Sequence, residues 1–185
     1  QRSIGDVSPT CARAPRVVYT AADVAGKNLL LLQNCAADWA REHTLVTRLR
    51  LTSDGLQRNG GIFFNYLQNP TGTGPARTYL VAVLDGSTSR LKLMRWNGSA
   101  YVLEHSEPFM ASLESWYQLE VHLHSTGSAT LTTIKISEVG GSASVSFAIS
   151  IPSADYGNPI GQAGLFTDKA YTHFNSFWVY YLNLD

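Results

Sequence analysis

Hydrophobic and polar residues alternate along most of this chain, and Gly, Ser, Asn or Asp interrupts each alternating run. The clearest run covers residues 116–124, where odd positions are mostly apolar and even positions mostly polar. Because successive side chains of a β-strand point to opposite faces, this pattern predicts a strand with one buried and one wet face. The run at 43–51 predicts a second such strand, whose two faces carry Leu45, Thr47, Leu49 and Leu51 on one side and Val46, Arg48 and Arg50 on the other.

Shorter β-rich segments between turn signals predict the remaining strands. They cover residues 17–20, 29–33, 62–68, 78–84, 90–96, 101–105, 129–137, 144–151, 164–167 and 173–182. Asp85-Gly86 is a turn signal, Asn97-Gly98 predicts a two-residue hairpin, and Asn59-Gly60-Gly61 predicts a bulge or a close backbone approach. One helical turn is predicted over 36–42. Strands spaced about 8–12 residues apart, without a long helix, are typical of an all-β, two-sheet antiparallel sandwich.

The length of the chain, 185 residues, predicts one domain over residues 1–185 with a sizeable core. Residues 1–16 lack a pattern and are expected to form an irregular N-terminal lead-in. Charged residues make up only 15% of the chain, and the net charge is zero. The balance argues against a nucleic-acid partner, and the low charge is typical of a secreted, extracellular protein. No apolar run approaches the ~18 residues of a membrane helix, so membrane insertion is not expected.

Three further features bear on secretion. The chain begins at Gln1, for which signal-peptide removal is one explanation and a trimmed chain is another. Its two cysteines, Cys11 and Cys35, are expected to form a disulfide in a secreted chain, and two buried thiols are the alternative. Asn97-Gly98-Ser99 is an N-glycosylation sequon.

Several strands also carry motifs in a familiar order, among them LVTRLRL, GGIFFNY, YLVAVLDG, LKLMRWNG, WYQLEVHL, GQAGLF and HFNSFWVYYL. In this order the chain resembles the concanavalin A-like lectin/glucanase superfamily over about residues 17–183. The resemblance implies a laminin-G-like jelly roll of the carbohydrate-binding-module type, with carbohydrate as the partner. Phe174-Asn175-Ser176-Phe177 departs from the Phe-Asp-Asn-Phe of many sugar-binding relatives, which weakens an inherited calcium site. The paired-acid strand of the related glucanases is also missing, which favours a binding domain over an enzyme.

The polar positions of the 116–124 run form the first candidate site. Gln118, Glu120, His122 and His124 are predicted to lie in one row. Histidines two apart on a strand have Cα atoms about 6–7 Å apart, so both imidazoles can reach one metal, with Glu120 as a third ligand. An ordinary solvated face is the alternative interpretation.

Two arginines form a second candidate site. If the strand of Arg48 and Arg50 lies beside the histidine row, the patch suits an acidic sugar, because guanidinium binds a uronate carboxylate bidentately. A nearby imidazole or phenol could then remove the C5 proton, as jelly-roll alginate and glucuronan lyases do in outline. The catalytic residues of such a polysaccharide lyase would be Arg48, Arg50, Glu120, His122 and Tyr180. Solvated arginines are the alternative.

Aromatic rings form a third candidate set, because flat rings stack on sugar faces while their polar tips bind hydroxyls. Most aromatic residues of a sandwich lie in its core, but Tyr66, Tyr79 and Trp96 are candidate ligand contacts, together with Asn65. No cofactor is required, although Ca²⁺ is an optional ligand for the loop residues Asp85, Asp155 and Asp168. Asp at turns is more often present for its backbone hydrogen bonds.

The sequence therefore predicts a secreted carbohydrate-binding or recognition domain that contacts glycan through aromatic and polar side chains. The first alternative is a polysaccharide lyase or another sugar-processing jelly-roll enzyme that acts on an acidic polysaccharide. The second is a structural or adhesive domain with a protein partner. The identity of the sugar and the oligomeric state stay open.

Overall fold

The computed structural model describes residues 27–31, 42–55, 58–68, 77–152, 162–168 and 170–181. The described residues form eleven strands: β1 Lys27–Leu31, β2 Glu42–Gly55, β3 Asn59–Gln68, β4 Arg77–Asp85, β5 Arg90–Trp96, β6 Tyr101–Pro108, β7 Trp116–Ser125, β8 Ala129–Glu138, β9 Ser144–Pro152, β10 Gln162–Asp168 and β11 Ala170–Tyr181. Three expected features fall outside them: the lead-in at 1–16, the strand at 17–20 and the helical turn up to residue 41. Within these ranges, no helix has the length and apolar character needed to span a bilayer.

The strands form two antiparallel sheets. The six-stranded sheet has the order β1-β10-β3-β4-β5-β6, and the five-stranded sheet has the order β11-β2-β7-β8-β9. At one edge His105 of β6 packs on Phe147 of β9, with ring centroids 4.4 Å apart, so the outermost strands of the two sheets meet. The all-β, two-sheet sandwich expected from the alternating pattern is confirmed.

The main core lies between the sheets and follows the two-residue period of the sequence. Along β7 the odd positions from 117 to 123 are buried and the even positions are partly exposed. The same holds for the predicted inner face of β2, whose four residues are at most 1% exposed. Each fully buried aliphatic side chain of this kind stabilises the fold by about 1.5–3 kcal/mol. Thr47 is tolerated in the core because its hydroxyl donates a 2.6 Å hydrogen bond to the carbonyl oxygen of Ser176.

A second apolar cluster covers the other side of the six-stranded sheet. Its buried members are Phe63, Tyr66, Tyr79, Val81, Val83 and Phe166, with Met94, Trp96 and Tyr101 partly buried beside them. Tyr101 on β6 and Phe166 on β10 have ring centroids 5.9 Å apart, although three strands separate them. In a flat sheet those strands would be about 19 Å apart. The sheet therefore curves around this cluster, which lies on its concave side.

Two irregularities in the strands decide which way aromatic side chains point. The β3–β10 and β3–β4 pairings shift register around Asn65, which has a left-handed backbone with φ 53°. The β11–β2 pairing shifts between Phe174 and Ser176. An extra residue in one strand reverses the alternation beyond it. As a result Phe174 and Phe177, three residues apart, both enter the main core.

The Asn97-Gly98 loop and the Gly60-Gly61 pair each settle an expectation from the sequence. The Asn97-Gly98 connection is not a two-residue hairpin: Trp96 pairs with Tyr101, so the loop has four residues. The Asn97 carboxamide accepts backbone hydrogen bonds from Ser99 and Ala100, which holds this wider loop together. Of the two interpretations of Gly60-Gly61, the close approach is the one observed, since a Cβ on Gly61 would overlap the carbonyl oxygen of Ala82.

Candidate functional site

The outer side of the five-stranded sheet carries most of the predicted polar site residues. Strands β2 and β7 are hydrogen-bonded neighbours, with Arg48 opposite Gln118 and Thr44 opposite His122. The outward residues of β2, β7 and β11 form what we call the polar face. Its members are Glu42, Thr44, Arg48, Arg50, Trp116, Gln118, Glu120, His122, His124, His173, Trp178 and Tyr180.

Two tryptophans flank the two arginines of the polar face. The guanidinium carbon of Arg48 lies 5.9 Å from the ring centroid of Trp178, and that of Arg50 lies 5.3 Å from the ring of Trp116. Cation–π contacts of this length contribute about 0.5–1 kcal/mol at exposed sites. More important for function, the rings restrict the long arginine side chains, so the two guanidinium groups are held in place on the sheet.

The two arginines differ in their remaining partners. Arg50 forms a 3.5 Å ion pair with Glu114, and its Nη2 lies 3.5 Å from Nδ1 of His173. The Nε of Arg48 donates to the side-chain oxygen of Gln118 at 3.3 Å. Among the described residues, no carboxylate comes within ion-pair distance of Arg48.

The two histidines of β7 share a carboxylate that the sequence did not suggest. Glu42 of β2 places one oxygen 3.1 Å from Nε2 of His122 and the other 3.4 Å from Nδ1 of His124. Thr44 lies 2.9 Å from the second ring nitrogen of His122. Glu120, the carboxylate that the sequence placed with the histidines, accepts a 2.9 Å hydrogen bond from Gln118. Across the described part of the chain, no group of three His, Cys, Asp or Glu residues is arranged to hold a metal ion.

The aromatic candidates lie on the opposite side of the molecule. Tyr66 and Tyr79 are 7% and 3% exposed and belong to the cluster on the six-stranded sheet. Trp96 is partly buried and stacks on Tyr79 with ring centroids 6.3 Å apart. Asn65 is buried at its register shift. The ten predicted ligand-binding residues therefore divide between the two sheets, with Arg48, Arg50, Gln118, Glu120, His122 and His124 on the polar face of the five-stranded sheet and Asn65, Tyr66, Tyr79 and Trp96 on strands of the six-stranded sheet.

Tyr101 has the most strongly shifted ionisation in the aromatic cluster. Burial is the largest influence that raises the pKa of Tyr101, and the 2.9 Å hydrogen bond with Tyr79 acts in the same direction. The negative charge of Asp168 adds to the rise in this pKa. A phenol in this setting stays protonated and acts as a hydrogen-bonding core residue.

The calcium candidates have different surroundings. Both carboxylate oxygens of Asp85 are engaged: one accepts from the backbone N–H groups of Ser87 and Thr88, and the other forms a 2.6 Å ion pair with Lys92. Asp168 pairs through its backbone with the side chain of Asn59. Asp155 lies outside the described residues, so calcium binding stays a prediction.

Two further predictions concern secretion. Cys11 and Cys35 lie outside the described residues, so their disulfide stays a prediction. Asn97 is exposed in the β5–β6 loop, where its side-chain oxygen also accepts from the hydroxyl of Ser99.

Sequence reasoning missed several members of the polar face. Trp116 and Thr44 lie at even positions of recognised strands, and the alternation alone would have placed them outward. Trp178 and His173 lie on either side of the register shift in β11, so no single alternating pattern assigns both outward. Glu42 was assigned to a helical turn instead of to the start of β2.

No protein-family model and no curated protein match this sequence. Solved structures do match the fold. The carbohydrate-binding module CBM66 from Bacillus subtilis superposes with a TM-score of 0.59 at 14% identity, covering 85% of this chain and 84% of that one. Lectin II from Ulex europaeus gives a TM-score of 0.58 at 7% identity, covering 88% of this chain and 85% of the lectin. A xylan β-1,4-xylosidase from Bacillus halodurans C-125 gives 0.52 at 14% identity, covering 76% of this chain but 28% of the enzyme. The chain therefore has the concanavalin A-like jelly-roll fold.

Proposed function

We propose that this chain is a carbohydrate-binding domain. The observation that carries the proposal is the likeness of fold to a carbohydrate-binding module and a lectin, each over more than four fifths of both chains. Because one fold hosts many functions, the proposal also rests on the chemistry of a particular surface. The polar face supplies that chemistry.

The polar face combines the two kinds of group that sugar recognition uses. Trp116 and Trp178 are partly exposed, and Tyr180 is 38% exposed. Flat rings bind the apolar face of a pyranose, and neighbouring donors and acceptors such as Gln118 and Arg48 bind its hydroxyl groups. The buried rings of Tyr66 and Tyr79 offer no comparable surface.

A glycan array followed by calorimetry tests the proposal. We expect at least one saccharide family to bind, and Tyr180→Ala to weaken its binding by about tenfold, because a lost stacking contact is worth roughly 1–1.5 kcal/mol. Val102→Ala is the matched control, since Val102 is 37% exposed on β6 of the other sheet. The proposal fails if no saccharide binds with or without Ca²⁺.

We further propose that the domain is secreted, with a Cys11–Cys35 disulfide and a glycan on Asn97. The low charged fraction of 15% and the exposed position of Asn97 support this. Intact-mass measurement of the protein from a eukaryotic secretory host, before and after reduction and deglycosylation, checks both modifications.

A polysaccharide lyase is the second candidate function. The observation that favours it is that Arg48, Arg50, Glu120, His122 and Tyr180 all lie on the polar face. The arginines would bind the uronate carboxylate, and a base would remove the C5 proton. The bond from C4 to the leaving oxygen would then break, a C4=C5 double bond would form, and the protonated base would return the proton to the leaving oxygen. The candidates for the base are His122, whose two ring nitrogens contact Thr44 and Glu42, and Tyr180, which is exposed. The test is to incubate the protein with a panel of polyuronates and to follow the ultraviolet absorbance of the unsaturated product. No rise in absorbance with any substrate would contradict this function.

A further inference from the structure

The guanidinium of Arg48 lacks an acidic partner among the described residues, as does that of Arg90, whose nitrogens instead donate to Ser106. Arg50, Lys92 and Arg95 each form an ion pair, with Glu114, Asp85 and Glu104 respectively. In the described part of the protein, Arg48 contacts only the neutral Gln118 and the ring of Trp178. Its charge is thus partly withdrawn from water without a counter-charge.

The contacts of Arg48 among the described residues involve its Nε and the face of its guanidinium, not its two terminal nitrogens. Gln118 takes the Nε proton at 3.3 Å, and the side chain lies over Trp178. Across the described ranges of the chain, no group bonds to its two terminal nitrogens, which together match the spacing of two carboxylate oxygens. Because the ring and the amide already fix the guanidinium, little side-chain entropy is lost when an anion binds.

The surroundings fit a carboxylate that belongs to a sugar better than a free anion. Tyr180 lies two residues from Trp178 along β11, so the two side chains project from the same side of the strand with Cα atoms about 7 Å apart. Gln118 on β7 and Thr44, four residues from Arg48 on β2, add an amide and a hydroxyl to this surface, where they also bond to Glu120 and His122. A saccharide held by a carboxylate at Arg48 would meet Trp178 and Gln118 with its first ring and would need more than one ring to reach Tyr180.

We propose that Arg48 is the carboxylate-binding residue of the polar face and that the ligand is an acidic saccharide that contains uronic acid. This inference rests on the proposed carbohydrate-binding function and specifies its ligand class. Since the protein has no net charge, attraction of the ligand is local and comes from this guanidinium, not from a long-range field. Added salt therefore weakens binding moderately through screening of one exposed pair.

The experiment is calorimetric titration with a panel of oligouronates and with the same oligosaccharides after reduction of their carboxyl groups to alcohols. We expect the acidic form to bind at least about tenfold more tightly than the reduced form, as for a charge-assisted hydrogen-bonded pair. Arg48→Gln should remove this preference, and Arg48→Lys should keep part of it because a point charge replaces the two-pronged contact. Arg58→Gln is the matched control, since Arg58 is exposed beside β3 of the other sheet.

Each outcome has a distinct meaning. Equal binding of acidic and reduced forms overturns the inference but leaves carbohydrate binding intact. A preference for the acidic form that persists in Arg48→Gln, or that is lost equally in Arg58→Gln, also overturns it. Absence of binding to any saccharide removes the inference together with the proposed function. If Arg48→Gln does not fold, as judged by its thermal transition, Arg48→Lys and the comparison of acidic with reduced ligands still decide.

Discussion

At the scale of single residues, two asparagines mark where strands change sides. Asn65 has φ 53°, and the shift around it places Tyr66 in the same outer cluster as Phe63, with ring centroids 6.0 Å apart. Asn175 is exposed at the shift that lets Phe174 and Phe177 share the core. Asparagine tolerates left-handed backbone better than other residues with a Cβ, which explains its presence at position 65.

Substitutions at Asn65 test this explanation. Asn65→Gly should leave the free energy of unfolding nearly unchanged, because glycine adopts positive φ freely. Asn65→Val should lower it by about 1–2 kcal/mol, because a β-branched residue is strained there. Urea unfolding of both variants provides the measurement. Equal stability of the two would contradict a role for the left-handed backbone.

The turn residue Asp85 provides a pH-dependent test. Burial, the largest influence, raises the pKa of Asp85, but the hydrogen bonds from Lys92 and Thr88 and the charge of Lys92 together hold it below 3.8. Its pKa in the folded state is thus lower than in the unfolded chain, so its contribution to stability is present at neutral pH and is lost as pH falls below 3.8.

We expect Asp85→Asn to lower the free energy of unfolding at pH 7 by about 1–2 kcal/mol, since the amide keeps the backbone hydrogen bonds but loses the ion pair. The difference from the unmodified protein should shrink in strong acid, where Asp85 is protonated. Urea titrations at both pH values measure this. A difference that grows in acid would contradict the assignment of the ion pair to Lys92.

At the scale of elements, the alternating pattern predicted which side of a strand each residue occupies, but it did not predict which strands pair with each other. The inner and outer residues of β2 and β7 follow directly from the period of two. Which strands pair, and in which register, depends on contacts between distant parts of the chain that a local pattern does not encode. The contact of Glu42 with His122 and His124 is a consequence of the β2–β7 register, and for this reason sequence reasoning chose Glu120 instead.

The close pairing of β3 with β4 gives a test at this scale. Gly61→Ala should destabilise the fold by about 2 kcal/mol or more, because the new Cβ meets the backbone of Ala82, which has no freedom to move aside. Gly127→Ala is the control: its Cβ would have open space, and only its φ of 93° carries a cost, about 1 kcal/mol. Chemical denaturation of both variants measures the two losses in the free energy of unfolding. A smaller loss at Gly61 than at Gly127 would contradict the observed approach of the strands.

At the scale of the whole molecule, the two sheets have different outer sides. One is the polar face, and the other is covered by the buried aromatic cluster. The runs at 62–64 and 79–84 are almost continuously apolar, which is typical of strands buried on both faces, and this signal could have placed Tyr79 in a core. Alternation shows only which residues face away from the main core, not whether water or more protein lies beyond them.

The expected disulfide also acts on the whole chain. If Cys11 and Cys35 pair, reduction or a Cys35→Ser substitution should lower the free energy of unfolding by roughly 3 kcal/mol through loss of loop closure. Unfolding with and without reductant measures this. Identical stability in the two conditions would contradict the pairing.

The central claim is that the polar face of the five-stranded sheet binds carbohydrate. Nuclear magnetic resonance titration with the tightest saccharide from the glycan array tests it most directly. The account predicts chemical-shift changes in the outward residues of β2, β7 and β11, centred on Arg48 and Trp178. Changes confined to the six-stranded sheet, or none with any saccharide, would contradict it.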